Sequence, residues 1–262
     1  MENRHNIMKT SVFLASLILP AAILTGTSAL GNDDDAVKAK LETAMDATIR
    51  TSADTDRDHN RRPVETLEFF GLRDDMIVVE LLPGGGWYTK LLAPVLAENG
   101  NFYIAYGTGR TRDLLTDKPG FERMKVTAED ASISRAEGAR FYTATNTDLG
   151  VEDVDMVLTF RNYHNFDEQS RAALNASVFK ALKPGGIYGV VDHTRRHMQP
   201  DDPENRRRMD PVLAIREIQA AGFELLDFSD LHYRADDELR YEVGRKTVTG
   251  NTDRWTLKFR KP

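Results

Sequence analysis

The chain has 262 residues, 40% of them hydrophobic and 29% charged, and a formal charge of −6, a globular balance with room for one large α/β domain or two small ones. It has no cysteine, which excludes disulfides, thiolate metal sites, iron–sulfur clusters and a cysteine nucleophile. The acidic charge argues against a nucleic-acid partner, which needs a broad basic surface.

The first segment has three parts. Arg4 and Lys9 give a basic start, SVFLASLILPAAIL is an apolar run, and small residues follow, with Thr27-Ser28-Ala29 resembling a cleavage site. This is the pattern of a secretory signal peptide over residues 1–29. The run is short of the roughly 20 residues that span a bilayer. The expectation is an exported protein, periplasmic if the source is bacterial, with no stable membrane insertion once the leader is removed. An uncleaved anchor is the alternative.

Residues 30–62 read as an N-terminal helix and a polar connector. Val37, Leu41, Met45 and Ile49 recur at helical spacing. The charge-dense TSADTDRDHNRRP then serves as connector or lid. VETLEFFGL is a short helix stopped by Gly71. From there strands and helices alternate: MIVVELL, a helix WYTKLLAPVLAENG, NFYIAY, and a helical and loop region over 113–137. ARFYTAT reads as the third strand and VDMVLTF as the fourth. A helix DEQSRAALNASVFKAL capped by Asp167 comes next, then a Lys183–Gly186 turn and IYGVVDH as the fifth strand. The helix MDPVLAIREIQAAG precedes FELLDFS and, after a polar stretch, RWTLKFRKP.

Such alternation predicts parallel βαβ units, a doubly wound sheet with helices on both faces. VVELL and VDMVLTF are continuous apolar runs, as strands buried on both faces require. No helix separates the last two strands, so that pair is open to being antiparallel.

In a doubly wound sheet, ligands lie outside the carboxyl ends of the strands. Pro83-Gly84-Gly85-Gly86 falls there, after the first strand. Glycines let a backbone approach a ligand without a Cβ clash, and amides at the helix start face its polar groups. A tight turn is the plain alternative. A dinucleotide loop needs G-x-G-x-x-G and a later acid. Here Thr89 holds the third glycine position and no acid follows at the required place, which argues against a nicotinamide oxidoreductase.

The order ELLPGGGWYT, DMVLTFRNYHNF, LKPGGIYGVVDH and TDRWTLKFRKP resembles the class I S-adenosylmethionine-dependent methyltransferases, and more narrowly an exported branch of them, over residues 63–262. The resemblance implies a Rossmann-like, three-layer αβα fold whose seven-stranded, mostly parallel sheet ends in an antiparallel strand. It implies S-adenosylmethionine as cofactor and a small-molecule substrate. Glu80 and Gly84 to Gly86, with Pro83, would line the methionine part. Leu82 stands where the family's loop has its first glycine. Tyr106 stands where the family has the acid that holds the ribose, and would stack on adenine or bond a hydroxyl. A methyltransferase-like scaffold that binds another ligand without methylating is the second reading.

Methyl transfer from a sulfonium asks the protein to position an acceptor and, for oxygen or nitrogen acceptors, to take a proton. His164, in the polar RNYHN after the fourth strand, is the candidate base, because histidine titrates near neutrality. Asp192 and His193 end the fifth strand; Asp192 would orient one of the two histidines or act as a base itself. Asn162 would hold a polar group of cofactor or substrate, and Arg161 a carboxylate or phosphate. Trp87 would wall the pocket or pack under the N-terminal segment. His193 and His197 lie four apart, but the prolines nearby spoil helical spacing, and no metal site is assigned. Arg206-Arg207-Arg208 reads as a solvated face.

Overall fold

In the computed structural model, which describes residues 29–262, four helices precede the first strand: α1 (Ala29–Met45), α2 (Ser52–Thr55), α3 (Asp58–Arg61) and α4 (Pro63–Phe70). The segment read as a leader, residues 1–29, lies outside the described residues but for Ala29. Then come β1 (Ile77–Leu81), α5 (Thr89–Leu96), β2 (Asn101–Ala105), α6 (Gly109–Leu115) and β3 (Met124–Thr127). The short strands β4 (Ser132–Ser134) and β5 (Thr143–Thr145) lead to β6 (Val154–Phe160), α7 (Glu168–Ala181) and β7 (Leu182–His193). The chain ends with α8 (Pro211–Ala220), β8 (Glu224–Ser229) and β9 (Arg254–Arg260).

Seven strands form one sheet in the order β3-β2-β1-β6-β7-β9-β8. β1, β2, β3, β6 and β7 pair in parallel. β9 is antiparallel to both β7 and β8. This is the expected fold class. The antiparallel β9 inserted beside β7 departs from the all-parallel 3-2-1-4-5-6 sheet of the dinucleotide folds, so the topology lends the nicotinamide alternative no support.

Alternation along the central strands builds two cores. Val78, Met156 and Leu158 face α1, α4 and α5, while Val79, Val157 and Val190 face α7 and α8. Asp167 caps α7 through the Ser170 amide at 2.7 Å. Among the described residues no helix is long and apolar enough to cross a membrane.

Two expected elements are corrected. The third strand of the main sheet is MKVT, not ARFYTAT, of which only Thr143–Thr145 is extended, in a separate two-stranded sheet. MKVT lies at the sheet edge, where one face suffices, so it lacks the apolar run of an inner strand. The Lys183–Gly186 turn is absorbed into β7 as a bulge. Leu182 pairs with Val154, and the next paired residue, Ile187, with Met156.

The polar connector is the largest surprise of the fold. α2 and α3 dock over the start of α5. The Trp87 indole donates to the Asp54 carbonyl at 2.9 Å, and Lys90 Nζ donates to the Asp54 carboxylate at 2.7 Å. Both charged groups of that pair are about nine-tenths buried. Asp54→Ala should therefore lower stability by about 3–5 kcal/mol, because it strands a buried ammonium; urea melts of variant and wild type measure it.

His232 latches the same segment to the sheet. Its ring is fully buried, with Nε2 2.9 Å from the Arg61 carbonyl and Nδ1 2.7 Å from Thr256 Oγ1. Burial brings it down to about 4. A buried neutral histidine takes up its proton only on unfolding, so its contribution is complete above about pH 6.5 and falls as pH drops toward 4. The stability difference between wild type and His232→Gln should shrink by about 3 kcal/mol over that interval. A difference that stays constant with pH would contradict the buried neutral latch.

Candidate functional site

β1 delivers the chain into Leu82-Pro83-Gly84-Gly85-Gly86. Leu82 has φ +54°, in the left-handed region. The position thus keeps the backbone of a glycine without being one, at a cost of roughly 1–2 kcal/mol. Two hydrogen bonds hold it: Leu82 N to the Ala105 carbonyl at 2.8 Å, and Asn162 Nδ2 to the Leu82 carbonyl at 3.1 Å. Gly86, at φ +74°, would carry a side chain only with strain, since a Cβ would lie 2.9 Å from Leu115 Cδ1. Gly85 is less crowded; a Cβ there would meet the Arg110 guanidinium at an ordinary 3.7 Å.

A cavity of about 350 Å³ opens beside this loop, within the range of small-molecule sites. Glu80, Pro83, Gly84, Gly85, Trp87, Arg161 and Asn162 line it; Gly86, expected beside them, does not. Glu80 is buried, accepts from Thr89 Oγ1 at 2.6 Å, and is pushed up to about 7 by burial. The Trp87 ring is also covered by the connector, with the Arg61 guanidinium 4.2 Å from its centroid.

Tyr106 is a correction. Its left-handed backbone, φ +62°, turns the ring into the second core, and its hydroxyl donates to the Thr147 carbonyl. It does not reach the cavity. Arg110 of α6 borders the cavity instead. Where the resemblance implies an acid after β2, GTGRTR presents Arg110.

A second cavity of about 400 Å³ adjoins the first, with Arg61, Arg161 and Asn162 in the walls of both. His164 and His193 line it. Asp192 lies fully buried behind them, so it is no base toward a ligand. One of its oxygens accepts from the His164 amide at 2.7 Å. The other lies 2.6 Å from His164 Nδ1 and accepts from the His193 amide at 2.7 Å. A carboxylate only accepts, so Nδ1 carries the proton and Nε2 is left as the basic nitrogen. His193 touches Asp192 through its backbone alone; its Nδ1 lies 2.9 Å from Thr252 Oγ1. Burial, then His164 and the arginines around it, pulls His193 well below the usual histidine range.

Asn162 is a strut as much as a contact, its amide donating to the Leu82 and Phe160 carbonyls. His197 turns away to Asp210, 2.9 Å from its Nδ1. Arg208 corrects the reading of the basic triplet as a solvated face: it is buried, with a two-pronged pair to Asp237 at 2.8 and 2.9 Å.

No family model and no curated protein matches the chain. Solved structures share its fold. A SAM-dependent methyltransferase from Aquifex aeolicus has a TM-score of 0.54 at 13% identity, over 86% of this chain and 98% of that one. The fold is that of the class I methyltransferases. The [4+2]-cyclase SpnF has a TM-score of 0.54 at 18% identity, over 88% of this chain and 94% of its own. The glycopeptide N-methyltransferase MtfA, complexed with S-adenosylmethionine, has a TM-score of 0.51 at 15% identity, over 78% of this chain and 95% of its own. A cyclase among these neighbours means that the reaction must be argued from the site.

Proposed function

We propose that the chain is an exported S-adenosylmethionine-dependent methyltransferase acting on a small molecule. Export is supported by the basic, apolar and small-residue pattern of residues 1–29. The observation that carries the activity is the His164–Asp192 pair: His164, held by the buried Asp192, lines a cavity that shares Arg57, Arg61, Arg161 and Asn162 with the glycine-loop cavity.

The residues suit the cofactor. Gly85 puts no side chain on the loop wall, the buried Glu80 carboxyl suits an ammonium group, and Arg61 Nη2 is a buried donor with no partner among the described residues. Bound there, S-adenosylmethionine supplies an activated methyl group. The chain's own work is to hold the acceptor and remove its proton. Asp192 fixes the tautomer and plane of His164, and Nε2 accepts the proton of an acceptor O–H or N–H. The connector helices cover Trp87 on the wall of the loop cavity.

A histidine oriented by a buried carboxylate on a cavity wall favours a catalytic role over binding alone. The experiment is release of S-adenosylhomocysteine from S-adenosylmethionine over a panel of small hydroxy and amino acids and phosphate esters. Acceptor-dependent release supports the reading; cofactor binding with no release on any acceptor supports the binding-protein alternative.

A further inference from the structure

The second cavity has an unusual wall for a chain of net charge −6. Five arginines and two histidines line it, and no carboxylate does. Two of the arginines are answered by acids: Arg207 pairs with Glu242, and Arg57 lies 3.3 Å from Asp54. The other three, Arg61, Arg161 and Arg254, have no carboxylate partner among the described residues.

They reach the cavity from three separate elements. Arg61 ends α3, Arg161 follows β6, and Arg254 opens β9. Arg61 and Arg254 are more than nine-tenths buried. Arg61 Nη2 and Arg161 Nε are buried with no hydrogen-bond partner among the described residues. Arg254 uses Nε on the Thr252 carbonyl at 3.3 Å. Burial, then the charge of Arg161, brings Arg61 down to about 8 and Arg254 to about 10. Buried like charges without a counter-charge are expensive, and orphaned guanidinium donors add to the cost. Such an arrangement is retained where a ligand brings the negative charge, and the guanidinium fork matches a carboxylate or phosphate.

Arg61 and Arg161 also touch the loop cavity, so the cofactor's own carboxylate is a partner for either. Arg254 lines the second cavity and not the first. His164 opens on the same space. We propose that the second cavity binds an oxyanion-bearing small molecule, its carboxylate or phosphate seated on Arg254 and Arg161. On the methyltransferase reading, on which this last step rests, that molecule is the methyl acceptor, with its hydroxyl or amine turned to His164.

The test uses the full chain at constant ionic strength, titrated calorimetrically with inorganic phosphate and with malonate, with and without saturating S-adenosylhomocysteine. Wild type should bind at least one of the two, and the tighter of them tells phosphate from carboxylate. Arg254→Gln should weaken that anion roughly tenfold or more, while S-adenosylhomocysteine affinity changes by less than about threefold. Arg254→Lys keeps the charge but not the fork, and should fall between the two; it serves as the second variant if the glutamine chain misfolds. No binding of either anion up to about 50 mM, or unchanged anion affinity in a folded Arg254 variant, overturns the proposal. Anion binding by a chain that ignores S-adenosylhomocysteine would sink the methyltransferase reading and leave the oxyanion site standing.

Discussion

His164→Ala is expected to lower turnover roughly 10²- to 10⁴-fold, the range of a general base, with S-adenosylhomocysteine affinity within about twofold of wild type. The site separates the two effects. His164 lines the second cavity and not the loop cavity. Its loss leaves the Asp192 carboxylate still accepting two backbone amides at 2.7 Å, so the strand end keeps its shape. The measurement is S-adenosylhomocysteine release on the best acceptor from the panel, in parallel with calorimetry. Added imidazole should restore part of the rate, because the cavity left by the ring stays beside Asp192. Undiminished turnover would remove His164 as base, and equal losses of turnover and affinity would make its role structural. Asp192→Asn is a poorer probe, since an amide group there would turn a donor toward the backbone N–H groups that the carboxylate now satisfies.

Gly85→Leu is the second large effect. A Cβ at Gly85 meets only the Arg110 side chain, at 3.7 Å, and Gly85 is absent from the positive-φ glycines that flank it. A leucine there is thus compatible with the fold and projects into the loop cavity. Affinity for S-adenosylhomocysteine should fall about 100-fold or more, near 3 kcal/mol, while the thermal midpoint moves by a few degrees at most. Gly86→Ala is the contrasting case. Its Cβ would stand 2.9 Å from Leu115 on a backbone at φ +74°, so it should destabilise the chain and lose binding together. Unchanged affinity in Gly85→Leu would mean that the loop is only a turn.

The central strands were legible because burial on both faces writes an apolar run, as in VVELL and VDMVLTF. The edge strand MKVT was not, because exposed Lys125 and the buried but polar Thr127 break the apolar run. Asp167 was readable as a cap, since it stands directly before a helical period. Leu82 shows the limit of motif reading: the residue departs from the glycine pattern, yet Asn162 and Ala105 hold its backbone in the glycine conformation. Tyr106 was misread for a related reason, because a left-handed residue sends its side chain to the face that strand alternation does not predict. His164 was legible as a histidine directly after an apolar strand. Its partner was not fixed by the sequence, since Asp192 lies on another strand and only the parallel β6–β7 pairing brings them together. The arginine wall was invisible for the same reason: Arg61, Arg161 and Arg254 are scattered over the chain and meet only in the folded sheet.

The most direct test is calorimetric titration of the full chain with S-adenosylhomocysteine. The loop geometry, the wall without a side chain at Gly85 and the buried Glu80 predict one site per chain with a dissociation constant in the micromolar range, about −8 kcal/mol. No heat of binding up to about 1 mM ligand, from protein with an intact thermal transition, would contradict the account.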